Sequence, residues 1–308
     1  MMIYTITFNP SLDYVMFVPH LHVGGVSRAQ RECIFPGGKG INVAVVLERL
    51  GLPCSALGFC AGYTGKAMLG MLKGEISHLD FISLFEGQSR INVKIKSEQE
   101  SDINGRGPAV SSAQFSELLN KLSVLGKDDV LVLAGAVCTG LTEEAYATIL
   151  DVLKDRGVLC VVDAAGDLLK KSLSRRPFLI KPNTAELADL FGTDIQTEED
   201  LEKYAREAQK LGALNVLVSM GEQGALLLTQ EGSVLRGAPA RLTGPVVNSV
   251  GAGDSMVAGF LAGWLRTHNP RKALDLALAC GGACVMKEWL PTRADVRALL
   301  ASPKDFSL

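Results

Sequence analysis

In the last quarter of the chain, Val247-Asn248-Ser249-Val250-Gly251-Ala252-Gly253-Asp254-Ser255-Met256 combines two glycines, a carboxylate and the start of an apolar helical pattern. Glycine lets the backbone come close to a ligand, and a helix start aims unpaired N–H groups at the same spot. Such a segment favours negative charge, for example a phosphoryl group in transfer. Asp254 then has two readings. An acid in the first helical turn complements the helix dipole, which is common. Beside an anion hole it is also placed to act as a general base toward a substrate hydroxyl. On this segment alone the dipole reading is preferred.

A second cluster, Pro36-Gly37-Gly38-Lys39-Gly40-Ile41-Asn42-Val43-Ala44, also opens a helical pattern, with Lys39 supplying positive charge and Asn42 a polar fork. The plainer reading is a strand-to-helix turn carrying a surface lysine. Neither cluster is a Walker A loop, which needs G-x-x-x-x-G-K-[ST]. Gly65-Lys66 is followed by Ala67 and has Cys60 where the upstream glycine belongs. Neither cluster fits G-x-G-x-x-G after the first strand, which argues against a dinucleotide site.

These clusters need a scaffold, and the hydrophobic pattern provides one. Strands are expected at residues 3–8, 54–60, 130–133, 158–162, 178–181 and 216–218, with helices at 41–50, 64–72, from near 142, 255–267 and 271–287. Near-continuous apolar strands separated by helices are what a parallel sheet covered on both faces requires. The expected fold class is α/β, three-layer α/β/α with a mostly parallel central sheet. Two stretches break the rhythm. Residues 14–35 show short apolar runs around Gly24-Gly25, and Ile91-Asn92-Val93-Lys94-Ile95-Lys96 within 89–104 alternates cleanly. Alternating strands bury one face only, so these stretches are expected either as a small β-sheet lid on a single domain spanning 1–308 or as two surface hairpins. Residues 198–210 read as a solvated helix face.

Composition narrows the class. The 308 residues carry 31 Lys+Arg against 33 Asp+Glu, a formal net charge of −2, which argues against a nucleic-acid binder that works by neutralising phosphates. No uncharged apolar run approaches the ~20 residues of a membrane span, and the N-terminus lacks a signal-peptide pattern. The 7 cysteines include no C-x-x-C pair, which suits reduced, mostly buried thiols in a cytoplasmic protein. Cys280 and Cys284 are read as core thiols and His20-Leu21-His22 as a solvated strand face, so no zinc site is expected.

Five patterns in register carry a resemblance that none carries alone. Asn9-Pro10-Ser11-Leu12-Asp13, Gly37-Gly38-Lys39-Gly40-Ile41-Asn42, Lys181-Pro182-Asn183-Thr184-Ala185-Glu186, Ser219-Met220-Gly221-Glu222-Gln223-Gly224 and Gly251-Ala252-Gly253-Asp254 occur in that order. Along essentially its whole length the chain resembles the ribokinase-like (PfkB) carbohydrate kinases. The likeness is to the branch of 1-phosphofructokinases and tagatose-6-phosphate kinases.

The resemblance implies roles. Asp254 would be the base, with the N–H groups of Gly251, Ala252 and Gly253 holding the charge of the γ-phosphoryl. Asn183 and Glu186 would act on Mg²⁺ through water, Lys181 would help place the phosphates of ATP, and Ser219, Gly221 and Gly224 would border the nucleotide. On the acceptor side, Asp13, Gly38 and Asn42 would hold the sugar, and Lys39 and Arg90 its phosphate. Arg106 is read as an exposed turn charge. Two departures stand out. Asn248-Ser249 replaces the Asp-Thr of many relatives. Val285-Met286-Lys287-Glu288-Trp289-Leu290 lacks a glycine-containing turn, which leaves the adenine pocket and the monovalent-cation loop of some relatives undefined.

The implied activity is ATP- and Mg²⁺-dependent phosphorylation of a ketohexose monophosphate, fructose 1-phosphate giving fructose 1,6-bisphosphate. The alternatives are a tagatose-6-phosphate kinase, a ribose or nucleoside kinase, and a non-catalytic sugar-phosphate sensor. The apolar face of the lid strands suggests a homodimer through the lids.

Overall fold

The computed structural model describes residues 1–306. The strands, in chain order, begin with β1 (Ile3–Thr7), β2 (Ser11–Phe17), β3 (Arg31–Gly37), β4 (Cys54–Ala61), β5 (His78–Leu84), β6 (Arg90–Lys96) and β7 (Ser101–Asn104). They continue with β8 (Val130–Ala134), β9 (Leu159–Asp163), β10 (Leu179–Ile180), β11 (Asn215–Ser219), β12 (Ala225–Leu228) and β13 (Val234–Gly237).

The larger sheet has the order β13-β12-β11-β10-β9-β8-β1-β4-β5. Every pair from β11 to β5 is parallel, and only the two edge pairs, β11–β12 and β12–β13, are antiparallel. Successive side chains point to opposite faces, so each apolar strand feeds two cores. Val130 and Val132 join a cluster with helices Lys39–Arg49, Ala252–Thr267 and Pro270–Val285. Leu131 and Leu133 join another with Leu118, Tyr146, Leu169, Leu187 and Ala205 from five helices on the far side. This is the three-layer arrangement expected from the apolar runs.

The chain starts in the middle of the sheet at β1, builds outward to β4 and β5, then crosses back to β8 on the other side of β1. Ligands of open α/β sheets gather outside the carboxyl ends of strands at such a reversal.

A separate four-stranded sheet has the order β3-β2-β6-β7. Its strands begin earlier and end later than the alternation alone indicated, at Ser11 and Gly37, because pairing of Ser11 with Gly37 carries the β2–β3 ladder down into both motifs. Asp13 pairs with Phe35 on one side and Asn92 on the other, and Tyr14 with Ile34 and Val93. One face therefore bears Asp13, Asn92 and Lys94, while the opposite face carries the row Ile34, Tyr14, Val93, Ile103. Ile34, Ile91 and Ile103 are exposed.

Two smaller expectations need adjustment. His20, Leu21 and His22 are solvated, as expected, but lie in a turn-rich connection outside any strand, with His20 paired to Glu98. The helix expected from near 142 begins at Ala145, after the tight turn in which the Ala145 N–H bonds the Thr142 carbonyl. All seven cysteines are free and only Cys33 is not fully buried.

Candidate active site

A cavity of about 430 Å³ opens between the smaller sheet and the carboxyl ends of the larger one. Its lining brings together Asp13, Gly38, Lys39, Asn42, Arg90, Lys181, Asn183, Glu186, Ser219, Gly251, Gly253 and Asp254, residues drawn from all five sequence patterns and from β6. Ala252, Gly221 and Gly224 are not among the lining residues. Ala252 opens the helix one position after the turn, and Gly221 and Gly224 form the β11–β12 connection beside Ser219.

Gly251 caps the helix Ala252–Thr267 at φ 82°, a left-handed conformation that glycine adopts without a steric penalty. Ala252 N–H turns back to the Ser249 carbonyl at 3.3 Å, which leaves the N–H groups of Gly251 and Gly253, both at the cavity wall, outside that bond. A Cβ on Gly253 would sit 3.1 Å from the Lys181 Nζ, so the lysine head lies against this helix start. Asp254, buried in the first turn, accepts a hydrogen bond from Asn42 Nδ2 at 2.7 Å. Burial first, and the Asp163 carboxylate second, push its pKa up to about 6, against the pull of Lys39, Asn42 and Lys181. A carboxyl group held there is ionised at neutral pH and basic enough to accept a proton.

Asp163 is the member that the motifs do not contain. It ends β9 fully buried, 3.2 Å from Lys39 Nζ and 3.6 Å from Lys181 Nζ through Oδ1. Its Oδ2 is buried without a hydrogen-bond partner. A bare buried carboxylate oxygen costs free energy, so it marks a place where a ligand or ion completes the shell. The only signal in the sequence was an acid closing the apolar run Cys160-Val161-Val162. Lys39 is half-buried; burial opposes its charge, but Asp163, Asp254 and Glu186 together raise its pKa.

Asn183 and Glu186 form a capping box on the helix Thr184–Phe191. Glu186 N–H donates to Asn183 Oδ1 at 2.7 Å, and Asn183 N–H to Glu186 Oε2 at 2.9 Å. The box fixes both side chains at the cavity wall and leaves Glu186 Oε1 and the Asn183 amide nitrogen outside those bonds. Among the described residues no cluster of three His, Cys, Asp or Glu side chains forms a ready-made metal cage. The oxygen donors here (Asp163 Oδ2, Glu186, Asn183) are hard and few, which fits a cation that keeps its waters, such as Mg²⁺.

On the smaller sheet, Asp13 Oδ1 accepts from Ser11 Oγ at 2.8 Å and Asn92 Nδ2 at 2.9 Å, which aims the carboxylate. Arg90 donates from Nε to the Asn9 carbonyl at 2.9 Å, leaving its two terminal nitrogens outside that bond. Burial, partly offset by Asp13, lowers its pKa, the mark of a guanidinium short of counter-charge. Asn92 and Lys94 share the face of Arg90 and also line the cavity; Lys94 pairs with Asp102 at 3.2 Å. Arg106 is exposed and lies outside the cavity, as its turn position indicated.

Comparison with known proteins identifies relatives over nearly the whole chain. The chain is 40% identical over 303 residues to the 1-phosphofructokinase of Bacillus subtilis, covering 98% of this chain and 99% of that one. It is 36% identical over 290 residues to the D-tagatose-1-phosphate kinase of Bacillus licheniformis, covering 94% of each. The crystal structure of phosphofructokinase-2 from Escherichia coli in complex with fructose-6-phosphate superposes with a TM-score of 0.89 at 27% identity, over 100% of this chain and 99% of that one. Residues 7–290 match the model of the pfkB family carbohydrate kinases. This match over residues 7–290, with the full-length likeness to the curated relatives, makes the chain a member of that family and a sugar-phosphate kinase.

Proposed function

We propose that the chain transfers the γ-phosphoryl group of ATP to the free primary hydroxyl of fructose 1-phosphate, giving fructose 1,6-bisphosphate and ADP. The observation that carries this reading is the single cavity in which Asp13 and Arg90 of the smaller sheet face the Gly251–Asp254 helix start.

Asp13 accepts hydrogen bonds from sugar hydroxyls, with Gly38 and Asn42 closing the pocket. Arg90 grips the substrate phosphate through its terminal nitrogens, a planar fork suited to two phosphate oxygens, and Lys39 adds charge. Asn42 holds Asp254, which takes the proton of the acceptor hydroxyl as its oxygen bonds to the γ-phosphorus. The bond from phosphorus to the bridging oxygen breaks, and its electron pair leaves with ADP. The N–H groups of Gly251 and Gly253 and the Lys181 ammonium receive charge on the transferring group; that of Ala252, expected to join them, is bonded to the Ser249 carbonyl and would first have to turn away from it. Phosphoryl transfer asks a protein chiefly for such positioning and charge stabilisation. Ser219, Gly221 and Gly224 border the nucleotide. Asp163, Asn183 and Glu186 would hold Mg²⁺, largely through water, where it would neutralise phosphate charge. The smaller sheet acts as a lid that excludes water, the competing acceptor.

The row Ile34, Tyr14, Val93, Ile103, exposed at its two ends and half-buried between them, supports a homodimer in which two lids pack face to face. Free, buried thiols fit a reducing cytoplasm. A second reading, a tagatose phosphate as acceptor, is favoured by the Bacillus licheniformis relative; that name carries the phosphate on C1, whereas the alternative implied by the resemblance was a tagatose-6-phosphate kinase. A silent sensor is disfavoured because Asp254, Asn183 and Glu186 are all present.

Steady-state assays with fructose 1-phosphate, fructose 6-phosphate, tagatose 1-phosphate, tagatose 6-phosphate and ribose test the assignment. The highest kcat/KM is expected on fructose 1-phosphate; turnover of unphosphorylated sugars alone overturns it.

A further inference from the structure

Residues 288–290, the segment that departs from the family pattern, tie the lid to the turn that precedes Asp254. On the lid side, the Trp289 indole stacks on Phe35 with centroids 5.9 Å apart and planes 9° from parallel. Its Nε1 donates to the Pro36 carbonyl at 3.3 Å, and Glu288 pairs with Arg31 at the far end of β3. On the helix side, Asn248 Nδ2 donates to the Glu288 carbonyl at 3.3 Å. The Cys284 thiol bridges the carbonyls of Val250 and Trp289 at 3.5 and 3.7 Å. Leu290 Cδ2 lies 3.1 Å from where a Cβ on Gly251 would stand. Behind the ring, the Arg49 guanidinium lies 4.8 Å from the Trp289 centroid while its Nη1 donates to the Leu290 carbonyl at 2.7 Å.

Phe35 is the cross-strand partner of Asp13, so the ring that meets Trp289 sits on the same rung as the sugar-facing carboxylate. A pocket of about 30 Å³, room for one water, has Asp13 and Asn42 in its lining together with Trp289 and Val250. The segment 288–290 thus spans from the acceptor side of the cavity, through the Trp289 indole, to the phosphoryl side, through the Glu288 and Trp289 carbonyls and Leu290.

We propose that Trp289 is a positioning residue that sets the spacing between Asp13 and the Gly251–Asp254 helix start, and so holds acceptor hydroxyl and phosphoryl group in line. It is not among the residues that line the main cavity. The inference rests on the kinase reading. Loosening the strap costs the chemical step more than sugar binding, because a misplacement of about 1 Å can cost ~100-fold in rate while binding contacts persist. It also opens a path for water to accept the phosphoryl group.

The test uses the full chain carrying Trp289→Leu, Trp289→Phe, Phe35→Leu and the Phe35→Leu/Trp289→Leu pair, with ADP and sugar bisphosphate measured in parallel. Trp289→Leu is expected to lower kcat by ~10–100-fold, leave KM for fructose 1-phosphate within about 3-fold, and release more ADP than bisphosphate. Trp289→Phe, which keeps the stack, recovers most of kcat. Phe35→Leu repeats the Trp289→Leu defect, and the double variant is no worse than either single one. A raised KM with unchanged kcat, strictly equal ADP and bisphosphate in the impaired variants, or additive losses overturns the proposal. Should Trp289→Leu fail to fold, Trp289→Phe and Phe35→Leu decide the question through the ratio of ADP to bisphosphate. If the unmodified chain phosphorylates no hexose phosphate, the substrate reading fails first; if it does and the variants match it, only the strap falls.

Discussion

Asn42 donates a 2.7 Å hydrogen bond to Asp254 across 212 positions of sequence, joining the acceptor-side helix to the phosphoryl-side helix at the buried carboxylate. The bond favours the ionised form, so it holds the Asp254 pKa below what burial alone would set. Asn42→Ala removes that support. The acidic limb of kcat/KM should move to higher pH, with ~10-fold or greater loss at pH 7. An unmoved limb would detach Asn42 from the base.

The raised pKa of Asp254 also predicts how activity and stability depend on pH. Only the carboxylate accepts a proton, so kcat/KM of the unmodified enzyme should fall about tenfold per unit below a limb near 6. For stability the sign is opposite. The unfolded carboxyl ionises from its ordinary value of 3.8, the folded one only near 6, so the unfolded chain binds fewer protons in between. The contribution of this group to stability therefore falls as pH rises through that window and stays lowered above it. Asp254→Asn should raise Tm at pH 8, by ~2 °C or more, and change it little at pH 3. Equal Tm values at pH 8, read by calorimetry, would contradict the burial argument.

Asp163 raises the Asp254 pKa and carries a buried oxygen without a partner. Asp163→Asn should therefore shift the acidic limb to lower pH, opposite to Asn42→Ala. It should also raise the Mg²⁺ concentration needed for half-maximal rate by ~10-fold. A normal Mg²⁺ requirement would assign Asp163 to anchoring Lys39 and Lys181 alone.

The lid row predicts an assembly defect. Ile34 and Ile103 are exposed at opposite edges of one sheet face. Ile103→Lys places charge on that face and should convert a dimer to a monomer in light scattering at micromolar concentration. A monomeric unmodified chain would remove the dimer.

Much of this fold was legible because its strands are buried on both faces: Val130–Ala134 reads as an unbroken apolar run and Cys54–Ala61 as one interrupted only by Ser55 and Gly58. β5 and the β12–β13 hairpin were not. β5 is an edge strand with an interrupted pattern, and β12 and β13 are only four residues each, too short for a period. The glycine runs and Asp254 announced themselves by spacing. Asp163 did not, since it stands alone in sequence and gains meaning only when β9 sets it beside Lys39, 124 positions away. Glu186 was legible as a cavity residue, while its second duty, capping its own helix with Asn183, follows from the spacing of three that also marked it. The polar face of β6 was visible as alternation, and with Arg90 assigned to the substrate the same period turns Asn92 and Lys94 inward and the isoleucines outward, yet neither polar residue was named for the site.

Asp254→Asn is the most direct test of the account, with product formation and equilibrium binding of fructose 1-phosphate measured on the same preparation. The isosteric amide keeps an acceptor for Asn42 but not the basicity, so kcat should fall by ~100–10,000-fold while the dissociation constant changes less than about threefold. A variant that turns over at near-normal kcat would contradict the assignment of Asp254 as the base.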